Sequence, residues 1–100
     1  MPEWTFLTNH GLVLSYLALH PRITARELGD AIGIRERATR KIIADLSETG
    51  YIIKKREGRR NRYRVNADIP LRHPSQQEAA IGDLLQALGW KRRGRRRKTS

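Results

Sequence analysis

Residues 23–65 read ITARELGDAIGIRERATRKIIADLSETGYIIKKREGRRNRYRV, and the spacing of the apolar side chains changes within this stretch. Up to Gly50 the apolar residues recur every three or four positions, which is typical of helices with one buried face. After Gly50 the period shortens to about 2: YIIKKR is rich in strand-forming residues, and in NRYRV apolar residues alternate with arginines. The stretch therefore predicts two helices followed by a β-hairpin.

The first of these helices carries start and stop signals. Thr24 and Glu27 have the spacing of a capping box, in which each side chain bonds the other residue's backbone N–H. Gly33 provides the break that commonly ends a helix. We expect a short helix over residues 25–32.

The next helix is predicted over residues 35–49, ended by Gly50. Its inner face consists of Ile42, Ile43 and Leu46, with the methyl group of Thr39 beside them. At 100° per residue the opposite side of the helix is polar and mostly cationic. The residues that point away from the inner face are Arg37, Arg40, Lys41 and Ala44.

The hairpin is predicted over residues 51–66. Tyr63 and Val65 alternate with arginines and are expected to anchor the returning strand to the core. Gly58 and Asn61 are expected to form the turn. Three helices, counting one over residues 9–20 that ends before Pro21, followed by a hairpin predict a winged helix-turn-helix.

The fold class is therefore α+β, mainly α, with an additional C-terminal helix. We expect a winged helix-turn-helix DNA-binding domain over residues 1–66 and a proline-containing connector over 67–75. Ser75 and Glu78 suggest a second capping box, which predicts a helix over 76–88. Residues 89–100 have the composition of a disordered tail.

Charge is concentrated in two blocks. The net charge of the chain is +11, and residues 35–64 alone carry eleven basic and four acidic side chains. Residues 91–98 add seven cations and no acid, whereas the remaining segments are slightly acidic. Basic blocks on a nearly neutral body are typical of nucleic-acid-binding proteins.

Several functional classes have no support in the sequence. There is no cysteine, and the three histidines have no metal-binding spacing. No apolar run approaches the roughly 18 residues that a membrane-spanning helix needs, and no signal peptide is evident. No catalytic motif occurs, so we expect no enzyme activity and no cofactor. We also expect no membrane partner, and a cytoplasmic, nucleoid-associated protein.

The segment 23–65, with its AIGI turn, basic helix and ETGYI wing opening, resembles the winged helix-turn-helix of bacterial transcriptional regulators of the MarR and ArsR type. The flanking WTFLTNHGLVLSYLA and PLRHP are similar to a smaller family of such regulators. The resemblance implies DNA-binding residues on the recognition helix: Arg35, Glu36, Arg37, Ala38, Arg40 and Lys41. It places Arg59, Arg60 and Arg62 at the tip of the wing.

The expected partners are double-stranded DNA and a second copy of the chain; a small-molecule effector is unknown. Lys54 and Lys55 add to the basic wing. Phosphate contacts are also expected from the tail, through Arg92, Arg93, Arg95, Arg96 and Arg97. The dimer is expected to form through the apolar stripe of the last helix, namely Ile81, Leu84, Leu85 and Leu88.

Each of these features also has a simpler interpretation. The recognition-helix cations could form a solvated face, and the hairpin cations could protect a strand edge, although this does not explain arginines in the turn. The tail could only increase solubility, and the leucine stripe could cover the domain's own core. Alternative functions are a non-specific architectural DNA or RNA binder, and a protein-interaction module.

Overall fold

The structure, a computed structural model, describes residues 4–91. This part of the chain forms a mainly α-helical winged helix with one antiparallel hairpin, which confirms the predicted fold class. In chain order the elements are α1 (Asn9–Leu19), α2 (Ala25–Ile32), α3 (Glu36–Glu48), β1 (Ile52–Glu57), β2 (Arg60–Val65), a 3₁₀ turn (Pro74–Gln76) and α4 (Ile81–Ala87).

The ends of the first helices follow from local capping. The Thr8 hydroxyl accepts the Gly11 N–H at the start of α1. In α2 both bonds of the capping box are present: Thr24 N–H to Glu27 Oε1 at 2.9 Å, and Glu27 N–H to Thr24 Oγ1 at 3.1 Å. Gly33 ends α2 in the left-handed conformation, with φ of 84°. The capping box predicted for this helix is therefore confirmed.

One hydrophobic core joins the four α-helices and the hairpin. It lies between the three helices of the helix-turn-helix, the inner face of the hairpin and α4. Its buried members are Val13, Leu14, Leu17, Ala25, Leu28, Ile42, Ile43, Leu46, Tyr51, Ile52, Tyr63, Ile81 and Leu85. Because α3 contributes only one face to this core, its opposite face is left at the surface.

The turn of the hairpin is shorter than the sequence suggested. Glu57 pairs directly with Arg60, so Gly58 and Arg59 alone form the turn. Asn61, which we expected in the turn, lies in β2 opposite Arg56. Gly58 has φ of 61°, the left-handed conformation that two-residue hairpin turns require at their first position and that glycine adopts readily.

The outer edge of β2 is covered by the loop between α1 and α2. The Tyr63 N–H donates to the Pro21 carbonyl at 2.8 Å, so this loop is joined to β2 by a backbone hydrogen bond. Near the end of β2, the Asn66 N–H donates to the Tyr51 carbonyl at 2.8 Å and closes the base of the hairpin. The wing is thus attached to the helices by backbone bonds as well as by its buried side chains.

The last helix differs from its prediction. It begins at Ile81 rather than at 76, and the proposed Ser75–Glu78 capping box does not form. Instead, the segment near Ala80 is extended and bonds the connector, with Leu71 N–H to Ala79 O at 3.0 Å and Ile81 N–H to Ile69 O at 2.8 Å. An extended backbone at these positions excludes a helix, so α4 starts only after them.

At its start, α4 is capped from within. The Asp83 carboxylate accepts the Ala80 N–H at 3.1 Å, which is half of a capping box. At its end, Trp90 is half-buried against the core, and its backbone N–H donates to the Leu85 carbonyl at 3.0 Å. Within residues 4–91, no helix is long and apolar enough to span a membrane.

Candidate nucleic-acid interface

The outer face of α3 presents the residues that we predicted for DNA contact. The opposite face is held in the core by Thr39, Ile42, Ile43 and Leu46. The predicted recognition residues are all exposed, one at the N-cap of α3 and the others in its first half: Arg35, Glu36, Arg37, Ala38, Arg40 and Lys41. The structure thus brings all six together on one accessible surface.

Gly29 of α2 lies close against the turn that leads to α3 and against α3 itself. A Cβ atom added there would lie 2.7 Å from the Ile34 carbonyl oxygen and 2.8 Å from Thr39 Oγ1. Thr39 is fully buried, and its hydroxyl donates to the Arg35 carbonyl at 3.0 Å. The sequence analysis placed Thr39 correctly at the core but missed Gly29, whose signal was a glycine in the interior of a predicted helix.

Two of the six residues form an ion pair. The Arg40 guanidinium contacts the Glu36 carboxylate one turn earlier, with Nη2 to Oε2 at 2.6 Å. Arg35 and Arg37 make no ion pair within residues 4–91. The N-terminal part of α3, with its N-cap, therefore carries two arginines without an ion pair to a described residue and one arginine paired with an acid.

Lys41 faces a different acid. Its Nζ lies 3.3 Å from Asp45 Oδ1, while His10 Nε2 lies 2.8 Å from Asp45 Oδ2. Hydrogen bonds from His10 and Lys41 lower the pKa of Asp45, and the bond from His10 has the larger effect. Because His10 belongs to α1, this cluster joins α1 to α3 at the protein surface.

The wing residues divide into unpaired and paired cations. Lys54 and Lys55 in β1 are exposed, and Arg59 occupies the turn with its side chain in solvent. None of these three makes an ion pair with another described residue. Arg60 and Arg62 lie in β2 rather than in the turn, and both contact acids.

Arg60 connects the wing to the helix-turn-helix. One of its guanidinium nitrogens, Nη1, donates to the Arg22 carbonyl at 2.9 Å and lies 3.5 Å from Glu27 Oε1. Glu27 is the same carboxylate that caps α2. Bonds from the Thr24 backbone and side chain, together with Arg60, lower the pKa of Glu27.

Glu57 contacts two further arginines at the base of the wing. Its Oε1 accepts from Arg22 Nε at 3.0 Å, and its Oε2 lies 3.7 Å from Arg62 Nη1. Arg22 was not among the predicted site residues. No local motif could have revealed it, because its partner is 35 positions away in the chain.

An open cleft of about 750 Å³ separates the end of α1 from this part of the wing. Its apolar and aromatic lining residues include Tyr16, Leu19 and Ile23. Its charged lining residues are Arg22, Glu27, Arg60 and Arg62. The cleft therefore borders the same cationic surface as the wing.

A protein-family model described as the MarR family matches residues 5–62, which include α1, α2, α3, β1 and part of β2. The chain belongs to the MarR family. The predicted resemblance to MarR regulators is thereby confirmed, while the likeness to ArsR regulators stays a prediction.

A solved structure supports the fold of this MarR-family chain. The chain is similar to MepR, a transcription regulator of the Staphylococcus aureus multidrug efflux pump MepA, with a TM-score of 0.55 and 16% sequence identity. The similarity covers 83% of this chain and 58% of MepR, so the chain corresponds to little more than half of that protein's length. A search of curated proteins found no matching sequence.

The C-terminal part of the MarR-family chain departs from our expectations. Ile81 and Leu85, expected at a dimer interface, are buried in the chain's own core, with 6% and 1% of their surface exposed. Of the same stripe, Leu84 is half-buried and Leu88 is exposed. The tail residues lie outside the described residues: Arg92, Arg93, Arg95, Arg96 and Arg97.

Proposed function

We propose that this MarR-family protein is a transcriptional regulator that binds specific sites in double-stranded DNA. The observation that carries the proposal is the outer face of α3, where Arg35, Arg37 and Arg40 are exposed together on a helix held by its opposite face. The family to which the chain belongs supports the same function.

In the proposed complex, α3 enters the major groove. An α-helix with its side chains is about 10–12 Å wide, which matches a groove about 12 Å wide. Arginine can donate two hydrogen bonds to guanine O6 and N7, and it also binds phosphate oxygens. Arg37 and Arg40 are the proposed base contacts, and Arg35, Ala38 and Lys41 complete the surface.

The wing contributes contacts beside the groove. Lys54, Lys55 and Arg59 are exposed and unpaired within the described part of the chain, so we propose that they bind phosphates or the minor groove. Arginine is favoured in narrow minor grooves by the negative potential there. Tail contacts by the arginines after residue 91 remain part of the proposal.

We also propose that the protein binds as a homodimer. The support is the exposed part of α4, where Leu88 has 42% of its surface exposed and Leu84 is half-buried, while Ile81 and Leu85 serve the monomer core. A two-fold dimer would place two α3 helices on half-sites about one helical turn, or 34–36 Å, apart. The selected DNA site should then be partly palindromic.

The direct test is in vitro selection of bound duplexes, followed by fluorescence anisotropy at several salt concentrations. With about 6–10 phosphate contacts, affinity should fall by about 10³–10⁵ between 50 and 200 mM salt. The selected duplex should also bind at least about 10³ times more tightly than random DNA. Absence of duplex binding, or binding that does not change with salt, would contradict the proposal.

A non-specific architectural role is the second candidate, and the net charge of +11 favours it. In that case phosphate contacts would supply nearly all the affinity. The ratio between selected and random duplexes would then be close to one, and single-stranded RNA would compete effectively. The same anisotropy measurements distinguish the two functions.

A further inference from the structure

Two carboxylates lie among the arginines at the junction of the wing and the helix-turn-helix. Glu57 contacts Arg22 and Arg62, and Glu27 contacts Arg60. These contacts link β1, β2, the loop between α1 and α2, and the first turn of α2. We call this group the wing-base cluster: Arg22, Glu27, Glu57, Arg60 and Arg62.

Glu57 places a negative charge on a surface that we propose binds a polyanion. Its side chain is 34% exposed and lies next to the turn that carries Arg59. By pairing with Arg62 of the wing and Arg22 of the α1–α2 loop, it leaves two fewer unpaired cations on this side of the molecule. Exposed ion pairs of this kind contribute little to fold stability, so a purely stabilising role does not explain it.

We propose that Glu57 is a specificity-determining residue, which limits the binding of DNA of any sequence by occupying Arg22 and Arg62. This inference rests on the proposed function as a DNA-binding regulator. Non-specific affinity comes almost entirely from phosphate contacts and the release of counterions. A carboxylate that occupies two arginines therefore weakens non-specific binding.

Glu57 lowers the affinity for a specific site by less than it lowers the affinity for random DNA. The reason is that the base contacts of α3 fix how the protein lies on a specific duplex. With the protein fixed in this way, the arginines freed by loss of Glu57 gain a phosphate contact only if a phosphate already lies within their reach. On random DNA the protein can shift along the duplex until these arginines contact a phosphate. Glu57 therefore raises the ratio between specific and non-specific affinity.

The test compares Glu57→Gln with Glu78→Gln in the full chain. Each substitution raises the net charge from +11 to +12. Glu78 is exposed, lies outside the wing and makes no ion pair among the residues described, so it controls for charge alone. Anisotropy is measured with a random 30-base-pair duplex and with the duplex selected by the wild-type protein.

We expect Glu57→Gln to bind the random duplex more tightly than Glu78→Gln at low salt. Each added phosphate contact should steepen the slope of log K against log salt by about 0.9, which is about 3.5-fold between 50 and 200 mM. The ratio of selected to random affinity should fall. In the double variant Glu57→Gln, Arg22→Gln, much of the gain should be lost, because Arg22, which makes the shorter of the two contacts with Glu57, is no longer present.

Three outcomes would overturn the inference while leaving the proposed function intact. In the first, Glu57→Gln and Glu78→Gln bind alike. In the second, Glu57→Gln binds both duplexes more weakly, with an unchanged melting temperature. In the third, removal of Arg22 leaves the gain unchanged. If the wild-type protein binds no duplex, the proposed function itself fails, which is a different result from any of these.

Discussion

The Arg40 guanidinium binds the Glu36 carboxylate on the exposed face of α3, with two nitrogens, Nη2 and Nε, at 2.6 and 3.1 Å from the same oxygen. This contact restrains a long side chain that would otherwise lose rotamer freedom on binding DNA. Nη1 is not used in the contact with Glu36. The side chain of Arg40 is therefore already restrained before it contacts DNA, its proposed partner.

Arg40→Ala should weaken binding to the selected duplex more than binding to random DNA. A bidentate contact to guanine contributes about 1–3 kcal/mol of discrimination, which is roughly 5- to 150-fold in affinity. Anisotropy with both duplexes measures the change. Arg72→Ala removes an exposed arginine of the connector and serves as the control for charge. Equal losses in the two variants would show that Arg40 makes no base contact.

Gly29→Ala should destabilise the fold. The new Cβ would lie 2.7 Å from a backbone oxygen, that of Ile34, which cannot move without shifting the turn between α2 and α3. Overpacking costs about 1–3 kcal/mol, and the better helix propensity of alanine returns about 1 kcal/mol. Because the crowded atom is a backbone oxygen, the overpacking cost should lie near the upper end of that range, and urea denaturation should show a net loss of about 1–2 kcal/mol.

Gly11→Ala is the matched control for that measurement. Gly11 also lies in a helix, and the nearest atom to an added Cβ is the Leu7 side-chain Cβ at 3.1 Å, in the segment before α1. That segment can adjust more easily than a buried turn, so the loss should be smaller. Equal stability of Gly29→Ala and the wild-type protein would show that α2 and α3 tolerate a wider separation.

The His10–Asp45–Lys41 cluster predicts a pH dependence of stability. The pKa of Asp45 is lowered in the fold, chiefly by His10 and then by Lys41. Such a carboxyl stabilises the folded state above its unfolded pKa of about 4, and this contribution is lost as the pH falls through the lower, folded value. Asp45→Asn should therefore melt below the wild-type protein at neutral pH.

The melting-temperature difference between Asp45→Asn and the wild-type protein should shrink as the pH falls below about 4. Circular dichroism melts across the acidic range measure it. Asp30→Asn controls for the loss of one negative charge, because Asp30 is exposed and makes no ion pair within residues 4–91. A difference for Asp45→Asn that stays constant with pH would contradict the prediction.

The two neighbouring wing arginines should behave differently. Arg59 is in the turn without an ion pair to a described residue, so Arg59→Ala should reduce the salt slope by about 0.9 for one lost phosphate contact and leave stability unchanged. Arg60 contacts the Arg22 carbonyl and Glu27, so Arg60→Ala should also lower the melting temperature. Identical behaviour of the two variants would argue against this division.

The sequence was sufficient for the elements whose signals are local. The Thr24–Glu27 capping box and the left-handed Gly33 define α2, and each is decided by residues within a few positions. The bounds of α1, α2, α3 and the hairpin lie within one residue of those predicted. Local backbone chemistry and a period of 3.6 or 2 residues are enough to define such elements.

The sequence was insufficient where a distant segment competes with a local motif. Ser75 and Glu78 have the spacing of a capping box, but the connector pairs with the backbone around Ala80 and keeps it extended. The ionic partners of the wing likewise depend on the fold, since Arg22 and Glu57 meet only when β2 packs beside the α1–α2 loop. The pattern predicted where the cations lie but not which of them are paired.

Ile81 and Leu85 fill the same core as Val13 and Leu17, although the two pairs lie at opposite ends of the described chain. A recombination event that joined residues 1–66 to an unrelated C-terminal segment would leave this core with an unfilled gap. Viable crossovers between relatives are therefore expected beyond α4 rather than directly after the hairpin. In longer proteins that contain this winged helix, residues 67–90 should be inherited together with it.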